Sequence, residues 1–157
     1  MASGLVEETI VGTDDAAATR ALAARLAMVA TAGDLVCLIG ALGAGKTVFA
    51  KGFAAGLGVT ATVNSPSFVL MAEYAGRLPL FHIDLFRLEG AADALAGGLL
   101  DERQAVGVTL VEWAERLGPA LPAARLDVII EGSGDEPRTI HLRATGPAYR
   151  RYTEVAA

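Results

Sequence analysis

Leu35-Val36-Cys37-Leu38-Ile39 runs directly into Gly40-Ala41-Leu42-Gly43-Ala44-Gly45-Lys46-Thr47, and the reading of this stretch decides the fold. The first part is a continuous apolar run of strand length, the pattern of a strand buried on both faces of a parallel sheet. The second part fits G-x-x-x-x-G-K-[ST] and lies where that motif must lie, between an apolar strand and the start of a helix. Glycines let successive backbone N–H groups turn inward around phosphate oxygens, and the following helix offers its positive end to the same anion. Leu42, Gly43, Ala44, Gly45, Lys46, Thr47 and Val48 are therefore the candidate nucleotide-binding residues. Lys46 is expected to pair with the outer phosphates, and the Thr47 hydroxyl to ligate Mg²⁺. Only two lysines stand among the 13 basic residues, so finding one at this position is informative.

Working outward, Thr9 to Val11 reads as a short strand. Thr13-Asp14-Asp15 then supplies an N-cap and first-turn acids to an Ala/Leu/Arg helix expected to reach about Ala30. Thr47 to Leu57 has helical spacing and stops at Gly56 and Gly58. Asn64-Ser65-Pro66-Ser67 reads as a polar turn, Phe68 to Tyr74 as a strand and Leu78 to Phe86 as another. Ala91 to Leu95 and Leu99 to Gln104 are short helix candidates. Val108 to Val111 is a buried strand leading into Glu112-Trp113, with helix propensity resuming through Arg116 before Gly118-Pro119. Leu126 to Glu131 and Thr139 to Ala144 flank Gly132-Ser133-Gly134-Asp135, as in a hairpin. Strands alternating with helices predict an α/β fold: a three-layer P-loop NTPase-like domain with a mainly parallel central sheet and late antiparallel strands.

At 157 residues the chain reads as one domain, 1–157, with a core of about 9–144 and a C-terminal tail of 145–157. A net charge of −5 argues against broad binding to nucleic acid or anionic membrane. DNA is not an expected partner, and RNA is expected only through another protein or a small patch. The single cysteine, Cys37, cannot form an internal disulfide, and Met1 to Glu8 lacks the basic-then-apolar order of a secretory signal. A cytoplasmic location is the expectation. Leu26 to Gly45 carries one charge, Asp34, but its glycines and small residues leave too little apolar drive for a spanning helix.

A phosphate loop needs acids for its metal and water. Asp84 follows Leu80-Phe81-His82-Ile83, and Glu112 follows Val108-Thr109-Leu110-Val111. Strand C-termini converge on the ligand crevice of an open parallel sheet, so both carboxylates are placed to reach a nucleotide. One would hold Mg²⁺, directly or through water, and the other would position or deprotonate the attacking water; with Lys46 they form the candidate catalytic set. His82 reads as an orienting or packing residue, Cys37 as buried and inert, and Arg87, Arg103 and Arg116 as possible phosphate contacts. Ser65 and Ser67 are candidates for a phosphate-sensing segment.

A guanine clamp of the Asn-Lys-x-Asp type is missing, since the single Asn64 is followed by Ser65. A small-molecule kinase would need an arginine-bearing lid, and Leu88 to Gly107 holds only Arg103. A compact ATPase or a non-hydrolysing nucleotide switch fits better. Gly40 to Thr47, Ser65-Pro66-Ser67-Phe68, His82-Ile83-Asp84-Leu85-Phe86-Arg87 and Val111-Glu112-Trp113-Ala114, in this order, resemble the TsaE family, formerly YjeE.

The resemblance implies an ATPase required for threonylcarbamoyladenosine formation in tRNA, slow alone and partner-dependent, using ATP/ADP and Mg²⁺. It implies that Thr47 and Glu112 hold the metal, that Asp84 supports hydrolysis, that Trp113 lies near the site, and that Asp14 to Ala16 lies close to the adenine. The implied partners are TsaD, which transfers the threonylcarbamoyl group to adenosine 37, and TsaB, so that tRNA is met only indirectly. The chain departs from the family at Ala41, where Asp is usual, and at Ser67 and Phe86, where Thr and Tyr are common. Losing the loop carboxylate bears on hydrolysis rate more than on binding.

Overall fold

In a computed structural model, residues 5–41, 43–63, 71–86 and 105–157 are described. Within them one seven-stranded sheet runs β1 (Glu7–Thr13), β7 (Arg138–Ala144), β6 (Leu126–Glu131), β2 (Leu35–Ile39), β5 (Val108–Glu112), β4 (Leu80–Asp84), β3 (Met71–Tyr74). The central β6-β2-β5-β4 set is parallel, as the apolar runs require. The β1–β7, β6–β7 and β3–β4 pairs are antiparallel, so parallel pairing is confined to the centre of the sheet.

Alternation along the strands divides the core in two. One face carries Val36, Leu38, Leu80, Leu110 and Val128 and is covered by α1 (Ala16–Ala27), α2 (Lys46–Gly56) and a C-terminal helix, α3 (Arg150–Ala156). The opposite face carries Leu35, Cys37, Ile83 and Val111 and is covered by a 3-10 segment, Ala114–Ala120, through Ala114 and Leu117. Among the described residues, the third layer is thus this short segment. The helices expected at 91–95 and 99–104, the turn at 64–67 and the first part of the strand expected at 68–74 fall outside the described residues.

α1 is capped as expected, with Asp15 Oδ1 accepting from Ala18 N at 2.8 Å, but its first turn holds no acid, because Asp15 is itself the cap and Asp14 precedes the helix. It ends at Ala27 rather than Ala30, because Met28, Val29 and Ala30 donate to carbonyls three residues back and tighten the last turn. α1 and α2 pack at close range: a Cβ on Gly52 would stand 2.4 Å from the Arg20 carbonyl oxygen, and one on Gly56 would stand 2.5 Å from that of Ala24.

Two further boundaries move. The β4 strand occupies Leu80–Asp84 within the expected 78–86 span, and β5 extends one residue to include Glu112. The segment after Trp113 is 3-10 rather than α-helical, and it breaks at Gly118, which takes φ 52° and ψ −131°, so the first helical piece stops before Gly118-Pro119 as expected.

The C-terminal segment is tied to the start of β2. Asp34, buried there, accepts from Thr31 N at 3.0 Å and pairs with Arg151 and the Tyr152 hydroxyl. Tyr149 Oη accepts from Leu35 N at 2.8 Å. Burial raises both tyrosine pKa values, and Asp34 adds to this for each, so these hydroxyls stay protonated.

Candidate functional site

The carboxyl end of β2 passes into the glycine arch, where Gly43 and Gly45 adopt φ 82° and 113°, a region open to glycine at little cost. Gly45 caps α2 without a side-chain hydrogen bond, which leaves the first-turn N–H groups to an anion. Gly40 is needed for close approach, since a Cβ there would lie 2.7 Å from the Ile130 carbonyl oxygen. Leu42 lies outside the described residues.

Lys46 folds back over the arch. Its Nζ donates to the Gly40 carbonyl and, at 3.1 Å, to that of Ala41, and it stands 4.1 Å from the centroid of the Trp113 ring. Burial lowers the Lys46 pKa, while the carboxylates of Glu112, Glu115 and Asp84 pull it the other way. The ammonium is therefore held by carbonyl dipoles and an aromatic face that a phosphate can replace.

The parallel register sets Asp84 beside Glu112 at the ends of β4 and β5. Both line one cleft of about 400 Å³ with Gly43, Gly45, Lys46, Thr47, Val48, Phe86 and Trp113. Asp84 Oδ1 accepts from Phe86 N at 2.9 Å. Glu112 is buried, 3 % exposed, and receives the His82 Nε2 at 2.6 Å. His82 thus orients a carboxylate. Trp113 holds φ 59°, an uncommon conformation for a bulky residue and the one positive φ outside glycine among the described residues. Its ring meets Phe86 at 5.0 Å, and Arg116 stands 5.7 Å from each ring at the rim.

A second cleft of about 250 Å³ continues past Gly45 and Val48, lined also by Asp14, Asp15, Ala16, Thr19, Ala44, Glu136 and Arg138. The two clefts share the start of α2, so the opening of α1 lies beside the phosphate loop, where the resemblance put the base. The Cys37 thiol is buried under the sheet, and burial followed by Asp127 pushes its pKa up, as expected of an inert residue. Ser65, Ser67, Arg87 and Arg103 lie outside the described residues.

Arg138 escaped the sequence reading. It donates from Nε to the Ala44 carbonyl at 2.8 Å and from Nη2 to that of Gly43 at 3.4 Å. No linear motif marks such a residue, because its partners are backbone oxygens.

For a metal, the donors in the larger cleft are the Thr47 hydroxyl and the carboxylates of Asp84 and Glu112. Hard oxygen donors in this small number suit Mg²⁺, which takes one or two carboxylates and completes its shell with phosphates and water. Among the described residues no cluster of three or more His, Cys, Asp or Glu forms a self-sufficient metal cage.

Comparison with known proteins identifies relatives of the whole fold. The family model described as "Threonylcarbamoyl adenosine biosynthesis protein TsaE" matches residues 13–140. A Bacillus subtilis protein named tRNA threonylcarbamoyladenosine biosynthesis protein TsaE is 45% identical over 137 residues, covering 87% of this chain and 85% of its own. Proteins of the same name from Treponema pallidum and Streptomyces coelicolor are 41% and 40% identical, covering 69% and 81% of this chain and 80% and 89% of theirs. The crystal structure of Bacillus subtilis YdiB superposes with a TM-score of 0.80 at 38% identity, covering 96% of this chain and 95% of that one.

Proposed function

The chain belongs to the TsaE family, and from that premise we propose that it is an ATP-binding P-loop ATPase serving threonylcarbamoyl modification of adenosine 37 in tRNA. It works in the cytoplasm with TsaD and TsaB, and meets tRNA only through them. The supporting observation is the cleft in which Lys46 and Thr47 at the start of α2 face Asp84 and Glu112 at the ends of β4 and β5.

The arch from Gly43 to Val48 binds the triphosphate through backbone N–H groups and the end of α2. Lys46 leaves the Gly40 and Ala41 carbonyls for the outer phosphates, gaining a charged partner for a pair of dipoles. The Thr47 hydroxyl and the Glu112 carboxylate would hold Mg²⁺, which would supply neutralisation of the phosphate charge. His82 keeps Glu112 aimed into the cleft. Asp84 positions the attacking water and takes up its proton. With Ala41 in place of the usual loop carboxylate, the protein alone turns over slowly and depends on its partners for rate.

Calorimetry with ADP and Mg²⁺, followed by single-turnover ATP hydrolysis with and without TsaB and TsaD, tests this reading. The expected result is nucleotide uptake and phosphate release that the partners accelerate. Phosphate appearing on a small acceptor would instead identify a kinase. Uptake without turnover under any partner condition would leave a nucleotide switch, and no uptake at all would remove the nucleotide site.

No helix among the described residues is long and apolar enough to cross a membrane.

A further inference from the structure

Arg138 opens β7 and pairs across the sheet with Thr13 of β1, next to the acidic opening of α1. Its guanidinium spans two segments. On one side it takes the carbonyls of Ala44 at 2.8 Å and Gly43 at 3.4 Å, and on the other those of Gly134 at 3.1 Å and Glu136. A planar fork of five donors suits four carbonyls spread over two segments, whereas a single ammonium does not. The hairpin is shaped to admit it: Gly132 sits at φ 123°, and a Cβ there would stand 2.9 Å from Arg138 Cδ.

The carbonyls it holds belong to the phosphate loop. A trans peptide is planar and points its C=O and N–H to opposite sides. Fixing the oxygens of Gly43 and Ala44 therefore fixes the direction of the N–H groups of Ala44 and Gly45. The first of these is already taken by the Ala41 carbonyl at 3.0 Å, and the second lies in the left-handed residue that caps α2. Arg138 also lines the smaller cleft beside Gly45 and Val48.

We propose that Arg138 is a positioning residue of the phosphate loop, clamping the Gly43 and Ala44 carbonyls to the β6–β7 hairpin so that the loop is preset for nucleotide phosphates. This role rests on the nucleotide-site reading above. It acts on binding through the backbone, and it makes the hairpin 132–137 part of the nucleotide site.

A matched control exists elsewhere in the fold. Arg77 uses the same chemistry, donating from Nη2 to the Ala27 and Ala30 carbonyls at 2.8 and 3.1 Å, at the end of α1 and outside both clefts. The test compares ADP dissociation constants in the presence of Mg²⁺ for wild type, R138Q, R138K and R77Q, alongside the melting temperature of each with and without ADP. R138Q is expected to weaken ADP about ten-fold or more. R138K is expected to recover only a small part of that, and the melting-point gain on adding ADP shrinks in both. R77Q is expected to lower the melting temperature while leaving ADP affinity at the wild-type value. If R138Q binds ADP like wild type, if R77Q weakens ADP as much as R138Q does, or if R138K is indistinguishable from wild type, the clamp is overturned. Failure of the wild type to take up ADP would instead remove the nucleotide-site reading itself.

Discussion

His82 Nε2 lies 2.6 Å from Glu112 Oε2, with both side chains buried, so the carboxylate proposed to hold the metal is fixed from behind by an imidazole on the neighbouring strand. Removing the ring by His82→Ala deprives a buried acid of this partner and leaves a cavity, costing about 3 kcal/mol of stability. His82→Gln keeps a donor and should cost less. Urea unfolding of the two variants measures the difference; equal stability for wild type and His82→Ala would show that the contact carries no weight.

The two acids should separate by role. Asp84→Asn is expected to slow single-turnover ATP hydrolysis by roughly 100-fold or more while ADP affinity stays within a few-fold. Glu112→Gln should instead diminish the gain in ATP affinity that Mg²⁺ provides. Titrations with and without Mg²⁺ distinguish them, and a Glu112→Gln protein with an unaltered Mg²⁺ effect would take that residue out of the metal's shell.

Lys46 makes opposite demands on pH for folding and for binding. Burial lowers its pKa, so in the folded protein the proton leaves at a lower pH than in the unfolded chain. Between those two points the unfolded state holds more protons, and the Lys46 contribution to stability improves as pH rises. Nucleotide affinity runs the other way, since the phosphates require the ammonium, and its decline should begin below the ordinary lysine range. ADP titrations across the alkaline range check this, with Lys46→Arg as the variant whose affinity stays flat. Lys46→Ala should abolish measurable uptake.

Close packing of the two large helices gives a prediction away from the site. Gly52→Ala forces a methyl against the Arg20 backbone, where its Cβ would stand 2.4 Å from the carbonyl oxygen, so α1 and α2 must move apart. The expected loss is about 2 kcal/mol or more, read by denaturant unfolding. A fully stable Gly52→Ala protein would mean that the helices slide without cost.

How far the sequence could be read depended on whether each feature has a local signature. The β2 strand, the arch and α2 are contiguous, and their apolar run, glycines and lysine state their roles in order. Asp84 and Glu112 each end an apolar run, so strand direction alone brought them to one crevice. Sequence reading left Glu112 just past its strand, whereas the structure includes it in β5 and buries it, because His82 on β4 compensates the desolvation. Arg138 was out of reach for the reason that its partners are main-chain oxygens. The C-terminal helix was also silent, since seven residues make too short a periodic signal and its anchor, Asp34, lies far off in the chain. The antiparallel β6–β7 pair was legible from its short connection, whereas the directions of β1 and β3 could not be read, because alternation reports burial and not polarity of pairing.

The pairing of β1 with β7 over the whole of Glu7–Thr13 has a bearing on how the molecule is made. Glu7 pairs with Ala144 and Thr13 with Arg138, so β1 is synthesised long before its partner, and α3 adds its own bond, from Thr9 Oγ1 to the Thr153 carbonyl, later still. β1 therefore waits for its partner while the residues between the two strands are made, and this edge of the sheet closes late.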